Sequence, residues 1–232
     1  MPPLWTEWLG RVPYREAAAL QAELVVRRRE GRIEDTLLLL EHPPVITLGR
    51  RGDPAHVLAD EAELARRGIE LCDAGRGGDV TYHGPGQLVG YPVLALPPGR
   101  RDARRYLRDL EQTLIRAVSH YGIRAGRVDG LTGVWVGDEK LAAIGVRLGT
   151  GWITSHGFAL NVAASLEGFS TIVPCGIRDH GVTSIARLVG HEPALREVAG
   201  HVARAFAAVF DRERTALRSR GAGLMPCSGR SS

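Results

Sequence analysis

Apolar positions recur along the 232 residues at spacings that mark strands and helices in turn. Leu4 to Leu9 predicts a first strand and Tyr14 to Arg29 a helix. In that helix Ala17, Leu20, Leu24 and Val25 share a face, and Arg27, Arg28 and Arg29 complement the negative end of its dipole. Thr36 to Leu40 is an unbroken apolar run, as expected of a strand buried on both faces. His42-Pro43-Pro44 interrupts it before Val45 to Leu48 resumes extended chain. Asp60 predicts an N-cap for a short helix ending at Gly68, with Glu63 as reciprocal acceptor, and Ile69 to Cys72 predicts the next strand. Val93 to Leu96 is extended and Pro97-Pro98-Gly99 ends it. Asp102 to Tyr121 is the clearest helix, with Leu107, Leu110, Leu114 and Val118 on one stripe and Gly122 as its stop. Val134 to Val136 and Lys140 to Val146 flank Gly137-Asp138 as a hairpin, and Trp152 to Val162 is a further strand. Ser165 to Val182 is irregular; Thr183 to Leu188 and Ala194 to Phe210 return to helix.

At this length one domain over residues 1–217 is expected, and the Gly, Ser and Pro of 218–232 predict a disordered tail. No apolar run approaches the roughly 18 residues of a membrane span, and the start of the chain lacks a signal-like apolar core, so a cytoplasmic protein is expected. A net charge of +4 favours acidic partners, but scattered arginines and only 6% aromatics argue against nucleic acid. Cys72, Cys175 and Cys227 have no metal-ligand spacing and are odd in number. Cys72 reads as an inert core thiol. Of 30 basic residues 29 are arginine, and the exception is Lys140. Arginine supplies charge but does not release its proton, so Lys140 is a candidate for a role that requires proton transfer.

The stretch from Arg76 to Tyr91 carries five glycines among Arg76, Thr81, His83 and Gln87. Val80, Tyr82, Leu88 and Val89 alternate with polar neighbours, which predicts two short strands joined by a bent loop. Gly77 and Gly78 let the backbone approach a ligand closely, and the mixture of polar groups suggests a site wall. The nucleotide-binding glycine patterns are absent. Further on, Pro174 and Gly176 bracket Cys175 in irregular chain, which makes that thiol the best nucleophile candidate. A free thiol has a pKa near 8.5 and needs a partner to ionise. His180, His83 and Lys140 are the alternatives. His83, His156, His180 and Cys175 lack paired spacing, and no metal is expected.

Four ordered blocks carry a resemblance over residues 5–210. They are Arg76-Gly77-Gly78-x-x-Thr81-x-His83-Gly84-Pro85-Gly86-Gln87-x-x-x-Tyr91, then Lys140-Leu141-Ala142-Ala143-Ile144-Gly145, then His156-Gly157-Phe158-Ala159-Leu160-Asn161, and Pro174-Cys175-Gly176-Ile177. Together they resemble the octanoyltransferase family of lipoate biosynthesis. The resemblance implies an α/β (α+β) fold, a mixed β-sheet flanked by helices, similar to the catalytic domain of biotin and lipoate protein ligases. It implies octanoyl transfer from octanoyl-acyl carrier protein to a lysine of lipoyl domains, those of 2-oxoacid dehydrogenase E2 subunits and of the glycine cleavage H protein. No cofactor and no ATP are implied, because the donor thioester is already activated; an ATP-dependent ligase on the same fold is the alternative. By the same resemblance Cys175 carries the acyl thioester and Lys140 lowers its pKa. Arg76, Gly77, Gly78, Asp79, Val80, Thr81, Tyr82, His83, Ala143, Ile144, Gly145, Gly157, Phe158 and Ala159 line the acyl site. His83, or backbone N–H groups near Gly145 and Gly157, are candidates to hold a developing oxyanion.

Overall fold

The computed structural model describes residues 1–174 and 180–219. In chain order its elements are β1 (Pro3–Arg11), α1 (Tyr14–Arg29), β2 (Asp35–Glu41), β3 (Val45–Leu48), α2 (Glu61–Arg66), β4 (Glu70–Asp73), β5 (Val80–His83), β6 (Gln87–Val93), α3 (Ala103–Val118), β7 (Gly126–Val128), β8 (Leu131–Val136), β9 (Glu139–Leu148), β10 (Thr154–Asn161), β11 (Gly181–Val182), α4 (Ile185–Val189), α5 (Leu195–Phe210), β12 (Glu213–Arg214) and β13 (Arg218–Ser219). The large sheet runs β12-β1-β2-β6-β10-β9-β8-β7, with β13 beside β1 and β11 beside β9. It is mixed: β1 is parallel to β2, whereas β2, β6, β10, β9 and β8 are successively antiparallel. A smaller sheet runs β4-β3-β5.

The apolar run of β2 explains the layering. Leu37 and Leu39 point to one face, where they join the buried stripes of α3 and α5, including Leu110, Leu114, Val202 and Phe206. Leu38 and Leu40 point to the other, against Ala17 and Leu24 of α1. A strand covered on both sides has no polar face, which is why its sequence does not alternate. The small sheet packs Ile46, Val80 and Tyr82 against Leu64 of α2 and Ile172.

β5 and β6 are joined by the bent loop expected, yet they do not pair: β5 lies against β3 in the small sheet and β6 between β2 and β10 in the large one. Gly86, at φ +82°, turns the chain from one to the other, and its carbonyl accepts the N–H groups of Val162 and Ala163. Asp60 caps α2 by accepting the N–H of Glu63; the Glu63 carboxylate pairs with Arg67, 2.6 Å away, rather than returning to the cap. Arg218 and Ser219, assigned from composition to the tail, pair with Glu7 and Trp8. Residues 220–232 lie outside the described residues. Cys72 is buried, and burial together with Glu70 pushes its thiol up to about 11, in keeping with an inert packing residue.

Candidate active site

β9 and β10 meet in a register that removes side chains from part of the sheet. Gly145 lies opposite Gly157 and Ala143 opposite Ala159, two same-face rungs with no side chain larger than a methyl. All four line a cavity of about 680 Å³, together with Val89 and Tyr91 of β6. A shallow trench of this kind accepts a thin apolar chain along bare backbone. Ile144 and Lys140 alternate with these residues on β9, and the cavity reaches them too, along with Phe158, Leu107 of α3, and Leu131 and Thr132 of β8.

The glycine-rich loop closes another side. The N–H of Gly77 donates to Val146 O at 2.9 Å, bridging the loop to β9. Arg76 lines the cavity, but its guanidinium serves the protein: it donates to Thr47 O at 2.6 Å and Oγ1 at 2.8 Å, and to Asp79 O at 2.8 Å. Asp79 accepts the backbone N–H of Asp53 and lies 2.5 Å from His56 Nδ1. Gly78, Thr81 and His83 also line the cavity. Val80 and Tyr82 do not, because on β5 they alternate with Thr81 and His83 and turn into the core under α2. Of residues 76–83, these two are the ones that do not line the cavity.

Three imidazoles in and beside the cavity, His83, His156 and His42, are held neutral. Burial, followed by the neighbouring His42, Arg76 and His156, lowers His83 to about 3. Burial and then Arg76 and Arg147 lower His156 to about 4. His42 is lowered by burial; its Nδ1–H donates to Val12 O at 2.6 Å, so its Nε2 accepts the Tyr91 hydroxyl at 2.8 Å.

The tautomer of His83 is set at a distance. Asn161 Nδ2 donates to the carbonyl of Thr183 at 3.0 Å, so Asn161 Oδ1 accepts from Gln87 Nε2 at 2.9 Å and Gln87 Oε1 faces His83 Nδ1 at 2.6 Å. The proton therefore sits on Nδ1, and Nε2 has a bare lone pair and no partner among the described residues. His83 has no N–H left to donate, which removes it as an oxyanion donor.

Lys140 is buried, 7% exposed, and its Nζ lies 4.7 Å from the centre of the Trp135 ring. Among the described residues no carboxylate pairs with it. Cys175 lies outside the described residues, with its neighbours to Asp179. The chain on either side is tied to the cavity: Val173 N–H donates to the carbonyl of His56, and Gly181-Val182 pair with Glu139-Lys140. His180 bonds Asp138 O and sets its ring edge-on to Trp135. Tyr14, Arg51 and His56 also line the cavity. Sequence reasoning missed them because each comes from an element remote from the four blocks.

The family model of the lipoyl protein ligase A/B catalytic domain matches residues 13–207. The chain belongs to that family. Within it, a Chloroflexus aggregans protein named octanoyltransferase is 51% identical over 205 residues, 88% of this chain and 93% of that one. An octanoyltransferase of Myxococcus xanthus is 50% identical over 212 residues, 89% of this chain and 59% of its own longer length. The family fold recurs in a bipartite lipoate protein ligase of Thermoplasma acidophilum described with its E2 lipoyl domain, at 17% identity and a TM-score of 0.73, over 93% of this chain and 87% of that one. Among the described residues no group of three or more His, Cys, Asp or Glu is placed to hold a metal ion, and no helix is long and apolar enough to cross a membrane.

Proposed function

We propose that the chain is an octanoyltransferase that takes the acyl group from a carrier-protein thioester onto Cys175 and passes it to the ε-amine of a lysine in a lipoyl domain. The observation that carries this reading is a buried lysine, with no carboxylate partner among the described residues, in the same cavity as a trench of glycine and alanine. The trench suits a saturated chain, whose burial is worth about 0.8 kcal/mol per methylene. The lysine suits a proton carrier.

In the first half, Lys140 takes the proton of the Cys175 thiol and the thiolate attacks the donor carbonyl. The carbon–sulfur bond to the carrier breaks, and the departing thiolate recovers the proton from Lys140. In the second half, the amine of the lipoyl-domain lysine attacks the Cys175 thioester; an amide forms as the carbon–sulfur bond breaks, and one proton of the amine passes through Lys140 to the released Cys175 thiolate. Gly77, Gly78, Thr81, Ala143, Ile144, Gly145, Gly157, Phe158 and Ala159 line the acyl path. Arg76 and Asp79 hold the loop that forms its wall.

Mixing the protein with octanoyl carrier protein and measuring intact mass tests the reading. An octanoyl increment is expected on the wild type and none on Cys175→Ser, with transfer to an added lipoyl domain in the absence of ATP. Modification that requires ATP and free octanoate and ignores the carrier protein would overturn it in favour of a ligase.

A further inference from the structure

Transfer of an acyl group to an amine involves two hydrogens on nitrogen, and the two have different fates. As the new carbon–nitrogen bond forms and the carbon–sulfur bond breaks, its electron pair goes to Cys175 Sγ. One hydrogen leaves as a proton, through Lys140 to that sulfur. The other stays on nitrogen in the amide, and during attack it points into a buried site where an unpaired donor is costly.

His83 is built to receive such a hydrogen. Its ring lines the cavity, and the Thr183 carbonyl, passed back through Asn161 and Gln87, leaves Nε2 as an acceptor only. The same chain of bonds meets Lys140, because Thr183 N–H donates to Lys140 O at 3.0 Å. The acceptor and the proton carrier are thereby held in one framework.

We infer that His83 Nε2 accepts a hydrogen bond from the N–H that the lipoyl-domain lysine retains while it takes the octanoyl group from Cys175. The inference rests on the acyl-cysteine reading above. A ring lowered to about 3 accepts that bond without removing the proton, so the amide keeps its hydrogen. In this role His83 touches the attacking nitrogen, and Gln87 and Asn161 are positioning residues.

Wild type, His83→Phe and Gln87→Met are each treated with octanoyl carrier protein, followed by intact mass, and then mixed with a lipoyl domain. All three are expected to acquire the octanoyl mass. Transfer then slows by about 10- to 100-fold in His83→Phe, in kcat rather than in KM for the lipoyl domain, and by a smaller factor in Gln87→Met. Proton–nitrogen correlation spectra of the imidazoles are expected to show His83 protonated at Nδ1 in the wild type and to lose that preference in Gln87→Met. A wild type that gains no octanoyl group defeats the acyl-cysteine reading itself. An acylated wild type beside either acylated His83→Phe that transfers at the wild-type rate, or a wild-type ring protonated at Nε2, defeats the inference alone. If His83→Phe fails to fold or to acylate, Gln87→Met decides: unchanged transfer despite a freed tautomer overturns the assignment.

Discussion

Among the described residues Lys140 faces an indole and no carboxylate pairs with it. If it carries protons between two sulfurs, Lys140→Arg keeps the charge and loses the chemistry, since a guanidinium does not give up its proton. Turnover is expected to fall by about 100-fold or more, measured as ATP-independent octanoyl transfer to a lipoyl domain, while the circular dichroism spectrum is unchanged. The residue stood out in the sequence because it is the lone lysine among 29 arginines. The state of His83 was not legible, because it depends on Gln87, Asn161 and Thr183, which come from separate parts of the chain. The anchoring of Arg76 was not legible for a related reason: its guanidinium is held by Thr47, 29 residues earlier in the chain.

At the level of elements, the trench depends on how closely β6 and β10 approach. A Cβ at position 157 would overlap the carbonyl of Gly90 and come within 2.6 Å of Pro92 Cδ. Gly157→Ala is therefore expected to push the strands apart, destabilising the fold by about 1–3 kcal/mol in a urea titration and slowing acylation. Asp102, whose side chain accepts the N–H of Arg105 at the start of α3, is expected to contribute about 1 kcal/mol, read in the same titration of Asp102→Ala. The caps, helices and long strands were legible because each is a local signal of periodicity and terminal chemistry. β11 was not: two residues carry no period, and Gly181-Val182 become a strand only because Glu139-Lys140 lie beside them.

For the whole molecule, two features set stability. Asp35, buried, accepts from Arg28 at 2.7 Å, from Arg212 at 2.9 Å and from the N–H of Ala95, tying α1, β2 and the end of α5 together. Asp35→Ala leaves Arg212 buried without that partner and is expected to cost about 3–5 kcal/mol in chemical denaturation. The second feature is the set of depressed imidazoles. An unfolded histidine takes up a proton near pH 6.5, whereas folded His83 and His156 wait until about 3 and 4. Between those values the unfolded chain binds more protons, so stability is full above 6.5 and drains away as pH falls. Thermal melts are expected to show Tm lower at about pH 4.5 than at about pH 7.5, with a shallower drop in His83→Phe.

The Gly84-Pro85-Gly86 bend has a consequence of its own. It is the hinge line between two sheets, and the His83–Gln87 contact is a stitch across that line, so the candidate site lies along a seam. Substitutions deep under α2, far from any substrate, should then reveal themselves as altered rates before they reveal themselves as loss of structure.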